Sequence, residues 1–228
     1  MTATMTHEPL DSTAPAPAGS RGLRTVLLGV IAVGLLVLGG AVAVGLGIGR
    51  ESTPTPDSVD AGFARDMATH HLQAVEMANL APDRSTDQDV RQLAFDIAEL
   101  QQNQAGRMQG WLSLWGVLPT GGTPMSWMGG GGHAGHSMSD GGLMPGMATE
   151  DELAELRSLS GREFDVRFLQ LMIRHHQGGY DMASYAAAHA EVPAVRSLAS
   201  SIADTQQVET TTMAAMLTDR GGQPLQAP

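Results

Sequence analysis

The chain has 228 residues, no cysteine, 8 histidines, 14 methionines and a formal net charge of −11 at pH 7. So acidic a balance argues against nucleic acid as a partner, since phosphate binding rests on Lys and Arg. It would attract cations, and would equally serve solubility. Without cysteine the fold cannot use disulfides and must hold by its core. A soft metal would then have to be met by thioether and imidazole, which need no reduced thiol.

In chain order, residues 1–22 are rich in Pro, Ala, Ser and Thr and are expected to be a disordered, cytoplasmic N-terminus. Residues 23–49 follow, and Val26 to Gly49 carries no charge. A membrane span needs about 20 apolar residues, so one transmembrane helix is expected. Arg21 and Arg24 precede it, which orients the remainder outside the cytoplasm. The rival reading is a cleaved signal peptide, with Ala41-Val42-Ala43 as its cleavage site. Such peptides have shorter apolar regions, roughly 7–15 residues, so length favours a single-pass signal anchor in the cell membrane. Cleavage would make the protein secreted. Residues 50–57 form a linker in which Pro54 and Pro56 forbid helix.

Residues 58–116 read as a first helical hairpin and 117–148 as a flexible Gly/Met/His-rich loop. Residues 149–221 read as a short helix followed by a second hairpin, and 222–228 as a tail. Thr149 and Glu152 have the spacing of a capping box ahead of the short helix.

The two hairpins are copies. Asp60–Gly116 and Asp165–Gly221 align without a gap at a constant offset of 105 residues. Asp-x-x-Phe, Met-x-x-His-His and an acid followed by Met-Ala recur, then Val-Arg-x-Leu-Ala and Gln-Gln. A repeat this long is one structural unit used twice. In the first copy Phe63, Met67, His70, Ala74, Met77 and Ala81 form one helical stripe, and Pro82-Asp83 ends it. Val90, Leu93, Ile97, Leu100, Gln104, Met108, Trp111 and Trp115 give the second stripe. No strand pattern appears. Two such hairpins bury their stripes by packing together, so the fold class is all-α: an antiparallel four-helix bundle with a pseudo-twofold axis.

Neighbouring residues on a helix diverge by about 100°, so His70 and His71 cannot both face one centre. His70 lies on the stripe, with Met77 one heptad on. Met67 stands one turn before the pair. Met172, His175, His176 and Met182 repeat the arrangement. The pseudo-twofold axis would bring His70 near His175. Met and His together suit Cu(I) or Ag(I), whereas zinc prefers Cys, His and carboxylate. The competing reading is a core of packed Met and hydrogen-bonded His. Gln101 and Gln206 recur on the inward side, as residues orienting an imidazole or as polar ties between helices. Asp66 and Glu209 are the acids that fall near the stripes. No Glu-x-x-His motif of the di-iron type occurs.

The loop adds Met125, Met128, His133, His136, Met138, Met144 and Met147 in a glycine background. Little there builds a core, and composition favours a weak, adaptable metal site. The alternative is a plain linker.

With Met67, His70, His71 and Met77, and Met172, His175, His176 and Met182, the chain resembles the domain-of-unknown-function 305 family. The resemblance covers about 57–221 and includes "PGM", "REFD" and "MIRHHQGGYDMA". It implies a ferritin-like fold and extracytoplasmic copper binding. The paired histidines, those four methionines and Glu209 match the family's motif; Gln104 departs from it, standing where the family has Glu.

The expected function is therefore copper binding outside the cytoplasm: Cu(I), with Cu(II) and Ag(I) as further candidates, for sequestration, resistance or transfer. The expected partners are copper or silver ions, the cytoplasmic membrane and a copper-trafficking protein, with no nucleic acid. No nucleophile–base pair or phosphate loop is seen, so no enzyme is expected. The alternatives are a metal-dependent oxidase and a metal-free bundle that binds a partner.

Overall fold

The computed structural model describes residues 19–45, 53–129 and 142–225. The chain divides into two units, at Ser52 and Thr53. The first contains helix α1, Gly19–Gly45. Its stretch Gly22–Gly45 has mean hydropathy 2.7 and no side chain buried in protein, and is long and apolar enough to cross a membrane. A helix apolar on every side needs a cover of protein or lipid.

The second unit is helical. It comprises α2 (Val59–Ala78), α3 (Ala81–Arg84), α4 (Gln88–Trp115), α5 (Glu150–Ser158), α6 (Gly161–His189) and α7 (Pro193–Asp219). Local chemistry sets the ends. The Ser58 hydroxyl caps α2 by accepting from Ala61 N–H. The Asp87 carboxylate accepts from Asp89 and Val90 N–H to start α4. Gly116, at φ 68°, ends α4 in the left-handed conformation that glycine takes without strain. The Thr149–Glu152 capping box forms as the sequence predicts.

Helix α2 pairs with α4, α6 pairs with α7, and α2 packs on α6 across the two hairpins. The recurring Asp-x-x-Phe motif explains part of this docking. Asp60 accepts from Glu191 and Val192 N–H at 3.0 and 2.8 Å, capping the α6–α7 turn of the other hairpin. Its equivalent, Asp165, lies against Ser85 in the α3–α4 turn. Each copy thus holds the turn of the other.

One expectation needs correction. The buried stripe of α4 is Val90, Ala94, Ile97, Gln101, Gln104, Met108 and Leu112. Leu93 is half-buried and Leu100 is exposed, while Trp111 and Trp115, partly buried against the apolar core, stack on each other with Arg107 over Trp111. Close helix packing favours small Ala94, and polar Gln101 belongs to a polar layer described below. The large apolar residues lie one position away on the helix.

A second correction concerns the 117–148 loop, whose described parts are packed. Trp127 is buried across α2 and α6, edge-on to Phe63 and Tyr185 at centroid distances of 5.9 and 5.7 Å. Gly62 makes room for it: a β-carbon there would lie 2.4 Å from the indole. Asp66 accepts from Trp127 Nε1–H and Met125 N–H, both at 2.8 Å.

The buried apolar residues form two clusters. Their boundary falls at one level on all four long helices: between Ala68 and Ala74, Ile97 and Ala105, Ile173 and Met182, and Ala203 and Met213. Each helix therefore crosses from one cluster to the other near its middle. Only an antiparallel bundle gives that pattern in consecutive helices.

Substituting Asp60→Ala removes the acceptor from two backbone N–H groups at the α6–α7 turn. We expect a loss of about 1–3 kcal/mol in urea unfolding. An unchanged midpoint would show that Asp60 does not tie the hairpins together.

Candidate metal centre

The gap between the two clusters is filled by polar side chains. His70 and His71 come from α2, Gln101 and Gln104 from α4, His175 and His176 from α6, and Gln206 and Glu209 from α7. All four histidines are fully buried. The divergence of adjacent helical residues divides each pair. His70 and His175 turn toward each other across the α2–α6 contact, with ring centroids 3.8 Å apart. His71 and His176 turn toward the second helix of their own hairpins. His71 Nε2–H donates to Gln104 Oε1 at 2.7 Å. His176 Nε2 meets Glu209 Oε2 at 2.7 Å. Both contacts span 33 residues. Gln104 and Glu209 therefore occupy one structural position, so the first copy has an amide where the second has a carboxylate, without losing the partner.

The histidines differ in what remains free. His176 commits both nitrogens, since Nδ1–H donates to Met172 O at 3.0 Å. His70 Nε2–H donates to Pro145 O at 3.1 Å, which leaves the Nδ1 lone pair without a partner. His71 Nδ1 is likewise unpaired, and neither nitrogen of His175 has a well-formed hydrogen bond. The amides of Gln101 and Gln206 are buried without partners as well. Gly179 lets Gln206 lie against α6, since a β-carbon there would meet its amide at 2.8 Å. Gln101 and Gln206 thus lie in the layer, where an amide can serve an imidazole once an ion is bound.

Burial keeps the imidazoles of His70, His71 and His175 neutral. It pulls His70 down to about 4 and His71 to about 3, with neighbouring histidines adding to the effect. His175 lies well below the usual value for the same reasons. Neutral imidazole is the form that ligates a metal. A buried polar atom without a partner costs about 1–3 kcal/mol, so a species that takes the free lone pairs relieves a real penalty.

Among the described residues, no three His, Asp or Glu side chains converge as a metal cage. A metal ion in this layer would therefore need low coordination or thioether ligands. Met67, Met77, Met172 and Met182 are all fully buried. They divide by cluster, Met67 with Met182 and Met77 with Met172, so one pair lies on each side of the polar layer. Low coordination by soft donors suits d¹⁰ monovalent ions better than zinc.

The loop residues divide differently. Met144 is buried, while Met125, Met128 and Met147 are partly buried, and all four pack on the Met67–Met182 cluster. His133, His136 and Met138 lie outside the described residues. Asp66 is a correction: both its oxygens are engaged by Arg65, Met125 and Trp127, so it anchors the loop and does not orient an imidazole. Sequence reasoning aligned Gln104 with Glu209 but gave it no role in the site, and it missed Gln73 and the Pro145 carbonyl. The constant 33-residue spacing of His71–Gln104 and His176–Glu209 was the available signal for the role of Gln104.

The profile of a family described as a domain of unknown function, DUF305, matches residues 60–217, and the chain belongs to that family. A DUF305 protein from Streptomyces coelicolor is similar at 43% identity, over 75% of this chain and 99% of that one, with a TM-score of 0.68. A DUF305 fragment from Deinococcus radiodurans is similar at 32% identity, over 74% of this chain and 99% of that one, with a TM-score of 0.59. CopM in its Cu(II)-bound form shares 27% identity over 71% of this chain and 97% of that one, with a TM-score of 0.53. Structures of CopM with Cu(I) and with silver bound show the same fold at 24% identity. Comparison with functionally curated proteins gives no match.

The neutral imidazoles set a pH dependence for the metal-free protein. Their folded-state values lie below the ordinary 6.5, so the unfolded chain binds the extra protons. Stability is full above pH 6.5 and is lost as the pH falls toward about 4 and about 3. Each such histidine contributes a slope of about 1.4 kcal/mol per pH unit in that window. Urea midpoints between pH 8 and 5 should fall below 6.5, and His71→Gln should make the fall shallower. A flat profile from pH 7 to 5 would rule out buried neutral imidazoles.

Proposed function

We propose that this DUF305 protein binds copper, as Cu(I) in the first place and also Ag(I) or Cu(II), in the polar layer at the middle of its bundle. The reading rests on one observation: buried, neutral His70 and His175 meet at 3.8 Å with three of their ring nitrogens unpaired. His70 and His175 supply the nitrogen donors of the centre, and His71, turned to its own hairpin, offers its Nδ1 apart from them. Met67, Met77, Met172 and Met182 supply thioethers from above and below. His176, held by Glu209, keeps its place in the layer as a buried neighbour, and Gln101 and Gln206 serve the imidazoles once an ion is bound. CopM, with the same fold, has been solved with Cu(I), Cu(II) and silver, which supports these ions as the cargo.

The role is capture, followed by storage or handover to a copper-trafficking partner, without bond-making chemistry. The apolar helix α1 supports a place at the outer face of the cytoplasmic membrane, with the bundle outside. If the segment is cleaved, the bundle is released, in keeping with a Streptomyces coelicolor relative named for inferred secretion. Met125, Met128, Met144, Met147, His133, His136 and Met138 form a second, weaker set of donors that concentrates ions near the bundle.

The test is a competitive titration of the full chain in detergent with Cu(I) and Ag(I), against chelators of known affinity. His70→Ala/His175→Ala should weaken binding more than about 100-fold, beyond the loss expected for a residue that only orients a ligand. Replacing His133, His136 and Met138 by Ser should leave the tight site intact. At free ion 100 times Kd, binding should stabilise the wild type by about 2.7 kcal/mol. Equal affinity in wild type and the double His variant would remove the layer as the site.

A further inference from the structure

His70 and His175 are fully buried, and the non-helical backbone in contact with them is the turn at Pro145–Gly146. Pro145 O accepts from His70 Nε2–H on α2. Gly146 has φ +79°, and a β-carbon there would lie 2.4 Å from Arg174 O and 3.0 Å from His175 Cα. A β-carbon on Gly178 would lie 2.1 Å from Pro145 O. The turn is thus pressed onto α6 beside His175 while its carbonyl reaches His70.

The segment is also gripped from both hairpins. The Gln73 amide donates to Ala148 O at 2.9 Å and accepts from Ala148 N–H at 2.7 Å. Arg174 donates to Met147 O at 3.3 Å, and the same guanidinium pairs with Glu152 of α5 at 2.5 Å. Gln73 and Gly178 are equivalent positions of the repeat, at the 105-residue offset. The copies differ there, and each version serves the same segment: one grips it and the other makes room for it. Glycine is otherwise disfavoured in a helix interior, so close approach of the turn accounts for Gly178.

We propose that residues 144–148 form a strap over the buried imidazoles, and that strap opening is the step by which a metal ion enters and leaves the layer. The exchange step rests on the copper reading above. The strap is held by a few hydrogen bonds and by the buried side chains of Met144 and Ala148, and none of the four long helices runs through it, so it opens locally while the bundle stays folded. Loosening it changes uptake and release alike and leaves the ligands in place.

The experiment compares the wild-type full chain in detergent with Gln73→Ala and Gly178→Ala. Alanine favours helix at both positions, so the bundle is preserved. Two readouts are used. One is the rate at which diethyl pyrocarbonate modifies His70 and His175, resolved by peptide mass spectrometry. The other is the rate of Ag(I) uptake and release in stopped flow. Loss of the two Gln73 hydrogen bonds should speed modification about tenfold. Ag(I) uptake and release should speed by a similar factor, with Kd changed by less than about threefold. Unchanged modification rates in both variants overturn the strap. Faster modification with no Ag(I) binding in any of the proteins leaves the strap as a cover of the layer and overturns its role in metal exchange, together with the copper reading.

Discussion

The structure depends on placing four imidazoles in the middle of a hydrophobic bundle. Burial excludes water and pulls three of them far below their ordinary pKa, which leaves neutral rings with few partners. Such a layer interrupts the apolar core, and the fold answers by dividing the core into two clusters, each built from all four long helices. The layer is polar, neutral at its centre and rich in free lone pairs. The proposed copper site draws on those properties, and unpaired buried groups weaken the bundle.

The pseudo-twofold repeat makes this economical and also reveals where the halves diverge. Each His-His pair sends one ring across the α2–α6 contact and one ring back to its own hairpin. The backward-facing ring meets Gln104 in one copy and Glu209 in the other, at the same 2.7 Å. The second copy thus has a carboxylate where the first has an amide, at one side of the layer. Asp60 and Asp165 follow the same exchange logic at the ends of the bundle, each reaching the turn of the opposite hairpin.

The long connection between the copies is part of the folded unit at both of its described ends. Trp127 and Asp66 fasten the first end over α2 and α6. The Pro145–Gly146 turn fastens the second end at the imidazoles themselves. The glycines at 146, 178 and 179 have a common cause, since each allows backbone or amide to approach where a β-carbon would collide.

The sequence by itself determined the helices, the repeat, the apolar N-terminal segment and the pairing of His70 with His175. These follow from local rules: periodicity, capping residues, and the symmetry that an ungapped repeat imposes. It also raised Met and His as candidate metal donors. What it could not determine were contacts set by distance across the fold. Asp66 lies beside the stripe in sequence but is spent on Trp127. Leu100 is large and apolar yet faces outward, because Gln101 beside it meets the neighbouring helix. The loop reads as low complexity, and only the tertiary structure shows its ends packed. The grip of Gln73 on Ala148 and the carbonyl of Pro145 on His70 each join residues 75 apart. Backbone groups carry no side-chain signal, so their part in the site emerges only when the chain is folded.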